Sequence, residues 1–96
     1  MIQQPLEYIT ELTMQIVFVI EREMECLRLR DNQKFKALQD IERELLQLLE
    51  EALSKVRGNA EILHGSSPAV LEKLNSTFAR FDTCLAGKHS LMAQMS

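Results

Sequence analysis

The stretch from Phe35 to Leu63 constrains the fold more than any other. Phe35, Leu38, Ile41, Leu45, Leu48, Leu49, Ala52, Val56 and Leu63 recur there at helical spacing, and charged side chains fill most of the gaps. That spacing predicts one long amphipathic helix with a single buried stripe. At about 1.5 Å per residue such a helix is a rod on the order of 43 Å long. A rod cannot bury a stripe against itself, so the rest of the chain must cover it.

The cover comes from both sides of the rod. Met1–Gln4 are expected to fray, and Pro5 suits a first helical turn, where its missing N–H has no partner to lose. From Leu6 onward two apolar seams lie side by side. One is Ile9, Leu12, Ile16 and Val19; the other is Thr13, Val17, Ile20, Met24 and Leu27. So broad an arc predicts a helix that touches two neighbours. Arg28 and Arg30 place cations at its end, which favours the negative pole of the helix dipole. Asp31 or Asn32 then caps the next helix, which predicts a short turn and an antiparallel hairpin. A helix continuing through Asp31 is the competing reading.

The second helix runs to Arg57 or on to Leu63, because Gly58-Asn59 offers a C-cap while Ile62 and Leu63 stay on the stripe. His64-Gly65-Ser66-Ser67-Pro68 is a clear break, and Ser67-Pro68 has the form of an N-cap followed by Pro at the first helical position. The third helix carries the cleanest heptad: Leu71, Leu74, Phe78, Phe81, Leu85, Lys88, Met92 and Met95. Lys88 is its one polar member. Gly87, beside it, costs about 1 kcal/mol in a helix interior, so the tail from Lys88 is expected to fray or hinge when alone.

Composition narrows the function classes. The charged residues balance to -3, with 8 Lys/Arg against 12 Asp/Glu before residue 64, and no basic stripe serves nucleic acid. The longest apolar run, Ile16–Ile20, is far short of the roughly 18 residues of a membrane span. Cys26 and Cys84 allow one disulfide, and with no signal peptide read at the start they are expected to be reduced thiols in a cytoplasmic protein.

Nothing in the sequence marks an enzyme. His64 and His89 lie far apart, and Cys84 and His89 do not share a helix face, so no metal set forms. Glu21, Glu25, Glu42 and Glu44 lack the Glu-x-x-His pairs of di-iron bundles and read as a solvated face. No Gly-rich elbow or phosphate loop is present. No cofactor is expected.

What stands out is a surplus of apolar surface over available cover. The expected partner-binding residues are those of the third helix: Leu71, Leu74, Phe78, Phe81, Leu85, Met92 and Met95. Methionines among them adapt to irregular partners. The fold expected is all-α, a single domain over 1–96. It is a long antiparallel hairpin (helix one about 5–30, helix two about 32–63) with a third amphipathic helix (about 68–93), packed as a three-helix or coiled-coil-like bundle.

The order of these features resembles the flagellar export chaperone family known as FlgN-like. The matching pieces are the Glu/Leu-rich Glu21–Leu29, the acidic turn Asp31-Asn32, and Leu38-Gln39-Asp40-Ile41-Glu42-Arg43-Glu44-Leu45-Leu46-Gln47-Leu48. The family's closing Asn-x-x-Leu-Leu-like end is met by Gly87-Lys88-His89-Ser90-Leu91-Met92, which keeps the apolar pair without the Asn. The resemblance implies a cytoplasmic type III secretion chaperone. Such a protein holds an amphipathic segment of hook–filament junction proteins before export, with Leu74, Phe78, Phe81, Leu85 and Met92 as client contacts. The alternative is a structural coiled-coil subunit or adaptor that forms a homo-oligomeric helical bundle.

Overall fold

The computed structural model describes residues 5–59 and 61–95, and the side chains of all of these except Ile62 and Leu63. The expectations for Met1–Gln4, and for Leu63 on the stripe, therefore lie outside the described residues. The chain is all-α. Helix α1 spans Pro5–Leu29, α2 Asn32–Arg57, the one-turn α3 Glu61–His64, and α4 Pro68–Met95. The start of α4 (Ala69, Val70, Lys73) lies beside the start of α1 (Glu7, Thr10, Glu11) and Lys88 meets Glu23 further on, so α4 runs parallel to α1, with α2 antiparallel to both. The radius of gyration is 15.2 Å. A compact chain of this length has about 12.5 Å, so the bundle is elongated and its core is slim.

The centre of the bundle is α1 and not the Phe35–Leu63 stretch. Both α2 and α4 pack on α1. It supplies Leu6, Ile9, Leu12, Ile16 and Ile20 to the buried cluster, against Leu49 and Val56 from α2 and Leu74 from α4. The two side-by-side seams explain this, because only an apolar arc that wide can serve two neighbours. Full burial of each such side chain stabilises by about 1.5–3 kcal/mol. Two threonines sit in the same interface without penalty. Buried Thr10 and Thr13 donate their hydroxyls to the carbonyls of Leu6 (2.8 Å) and Ile9 (2.7 Å) one turn back.

The connections follow local chemistry. At the end of α1 the Arg30 N–H bonds Leu27 O and the Asp31 N–H bonds Cys26 O, the paired bonds of a Schellman motif. Arg30 takes the left-handed conformation this requires, with φ 59°. Asp31 then turns its side chain to the Lys34 N–H at 3.1 Å, so one residue closes α1 and caps α2. The helix α2 stops at Arg57, where the Gly58 N–H returns to Ser54 O. Ser67 accepts from the Val70 N–H at 3.3 Å and opens α4 at Pro68. From there α4 passes through Gly87 without a break to Met95.

Candidate functional site

Two features of the bundle are candidates for function: an open apolar face and a buried charge layer. The face lies along the groove between α1 and α2, lined by Gln15, Phe18, Val19, Leu38, Ile41 and Leu45, with Arg22 at its edge. Phe18 is 51% exposed, Ile41 47% and Leu48 43%. On α2 the exposed Ile41 and Leu48 stand at helical spacing beside Leu38 and Leu45, which form the half-buried edge of the stripe that α2 turns to α1. The matching groove between α1 and α4 is more polar, lined by Glu7, Thr10, Glu11, Met14, Ala69, Val70 and Lys73. Further along, Arg80 spans α4 and α1: it donates to Glu21 at 2.9 Å and lies 5.8 Å from the centre of the Phe18 ring. The α1–α2 side therefore offers the more apolar surface.

The seven residues expected to bind a partner are divided by the fold. Leu74 is buried; Leu71, Phe78, Phe81 and Leu85 are half-buried and pack against the core cluster. Met92 and Met95, near the end of α4, are exposed. Full access to Leu74 requires α4 to leave the hairpin, while the other four show only part of their surface. The heptad that draws attention to them is the same pattern that docks α4 on α1.

Below this surface lies the charge layer. Lys88 of α4 is buried, and its ammonium donates to Glu23 Oε2 of α1 at 3.1 Å and to Glu42 Oε2 and Oε1 of α2 at 2.8 and 3.2 Å. Side-chain exposure is 7% for Lys88, 0% for Glu23 and 9% for Glu42. Glu42 is thus not part of a solvated face. It occupies a core position of the register Phe35, Leu38, Glu42, Leu45, Leu49, Ala52, Val56, whose steps alternate three and four. Glu23 does the same in Ile9, Thr13, Ile16, Ile20, Glu23, Leu27, as Lys88 does in the α4 heptad. One charge interrupts each seam, and the three interruptions meet. The signal was a charge in strict register, which an apolar-only reading of the seam passes over.

Burial pushes the Glu23 carboxyl above its ordinary value of 4.5, and neighbouring Glu42 adds to this against the pull of Lys88. For Lys88 burial acts downward, but hydrogen bonds and charge from Glu42 and Glu23 outweigh it and hold the ammonium above 10.5. The Phe35 ring lies 5.8 Å from the ammonium, within cation–π range. The thiols are free, Cys26 buried and Cys84 half-buried; burial and the charge of Glu21 raise Cys84 despite Arg80. Among the described residues no three His, Cys, Asp or Glu converge as a metal set, and no helix is long and apolar enough to cross a membrane.

The chain matches no protein-family model, no curated protein and no solved structure.

Proposed function

We propose that this chain is a non-catalytic helix-binding protein of the flagellar export chaperone kind, holding an amphipathic segment of a hook–filament junction protein before type III export. The open α1–α2 face is the gripping surface, and Met92 and Met95 extend the apolar area at the end of α4. The observation that carries this reading is the row of large apolar side chains left open beside Phe18 on a chain that already spends its best seams on its own core. A groove between two antiparallel helices accepts a third helix by ridge-into-groove packing. Phe18, Ile41 and Leu48 are each about half exposed, so covering them contributes roughly half of the ~1.5–3 kcal/mol of a full burial apiece, before association costs are subtracted.

The test is a fluorescence-anisotropy titration with a labelled peptide from the terminal amphipathic helix of a hook–filament junction protein. Saturable binding that Ile41→Asp abolishes, with the helical circular dichroism unchanged, supports the reading. Absence of binding at any accessible concentration overturns it. A dimer in solution that Ile41→Asp converts to monomer, with no peptide bound, moves the same face to the homo-oligomeric bundle instead.

A further inference from the structure

The charge layer is one proton short of balance. Its two carboxyls and one ammonium carry a net -1 if all are ionised, in a place where charge is costly to bury unpaired. The ammonium has three N–H donors, and all three are in use: one on Glu23 Oε2 and two on Glu42. Glu23 Oε1 is left buried and without a hydrogen-bond partner. Among the described residues no other charged group pairs with the layer. On α1, Glu21 is turned to Arg80 and Glu25 to Arg28, while Arg22 is exposed at the groove edge. On α4, Cys84 faces Glu21 and Arg80 and His89 is exposed; on α2, Glu42 is the charged group facing Glu23.

We propose that the folded protein holds a proton between the carboxyls of Glu23 and Glu42, which makes the layer neutral and turns it into a pH-sensitive latch that fastens α4 to the α1–α2 hairpin. The proton gives the orphaned side of Glu23 a use, and its loss leaves a negative charge sealed among three helices. The raised carboxyl of Glu23, with a hydrogen bond to Glu42 among its causes, agrees with this geometry. The direction follows from linkage. A carboxyl raised in the folded state stabilises below its unfolded value near 4.5, and that stability is lost as pH rises through the folded value. The latch is therefore fastened in mild acid and loosened toward alkaline pH. Releasing α4 uncovers Leu74, Phe78, Phe81 and Leu85. The inference stands whether or not the α1–α2 face binds a partner.

Two measurements on the full chain test it. In the first, the protein is labelled with 13C at the Glu side-chain carboxyls and titrated by NMR. Glu23 is expected to change charge well above pH 4.5; titration at the ordinary value overturns the proposal. In the second, urea unfolding and hydrogen exchange along α4 are followed from pH 5 to 9 for the native protein and Glu23→Gln. Contributions common to the two proteins cancel in the comparison. The native unfolding constant is expected to rise relative to Glu23→Gln by up to about tenfold per pH unit, the limit for one proton. At pH 8 the variant is expected to protect α4 better. Parallel pH profiles overturn the proposal, and if Glu23→Gln does not fold the NMR titration decides alone.

Discussion

The Lys88 ammonium lies 2.8 Å from Glu42 Oε2, so the last helix of the chain is bonded, inside the bundle, to the middle of the second. Because α2 and α4 both lean mainly on α1, this bond and its partner to Glu23 determine how the two outer helices register against each other. Removing the ammonium leaves the negative charge of the Glu23–Glu42 pair uncompensated in a dry layer. Lys88→Ala is expected to destabilise by about 3–5 kcal/mol, measured by urea unfolding. Replacing all three members together, with Lys88→Met, Glu23→Leu and Glu42→Leu, is expected to be neutral or stabilising by about 1–4 kcal/mol, because no charge is then left buried. A triple variant as unstable as Lys88→Ala would contradict the stranded-charge explanation.

Alkaline stability follows from the same contacts. The Lys88 ammonium is held above 10.5 in the folded state. Its contribution is therefore complete below that pH and is lost as pH climbs through the higher folded value. The native protein is expected to lose its denaturation midpoint more steeply above about pH 10.5 than the triple variant. Equal slopes would show that Lys88 is not held by its carboxylates.

Arg30 closes α1 in a left-handed conformation that an L side chain adopts at a cost of roughly 1–2 kcal/mol. Arg30→Gly relieves it and keeps the Schellman bonds to Leu27 and Cys26. A gain of about 1 kcal/mol in unfolding free energy is expected after the added freedom of the unfolded chain is counted. A loss would mean that the Arg30 side chain makes a stabilising contact.

Gly87 lies inside α4, and a Cβ built there meets the Met24 sulfur at 3.5 Å, an ordinary contact distance. Gly87→Ala is expected to raise the melting temperature, corresponding to about 1 kcal/mol from helix propensity. It is also expected to slow hydrogen exchange beyond Lys88. A drop in stability would show that α4 bends at this point.

The hairpin, its turn and the start of α4 were legible because each rests on local chemistry: Asp31 as a cap, Ser67-Pro68 as a helix opening, and two seams in α1. Which helix sits at the centre was less legible. The Phe35–Leu63 stretch has the sharper contrast between its faces, but a narrow stripe serves one neighbour, and α1 with its broad arc serves two. In the candidate site Lys88 was visible as the polar member of its heptad. Glu23 and Glu42 were not, because a lone glutamate in an apolar register looks the same as a surface one until the opposite charge on another helix is placed beside it. The open face was hidden for a related reason. Ile41 and Leu48 share a helix with the buried Leu49 and Val56, and only the position of α1 decides which of them meet water.

The most direct test of the account is an NMR titration of the 15N-labelled protein with the unlabelled client-helix peptide, reading which amides move. Shifts confined to Gln15, Phe18, Val19, Leu38, Ile41, Leu45 and Leu48, with α4 still docked, are the expected result. Shifts centred on Leu74, Phe78 and Leu85, or none at saturating peptide, would contradict it.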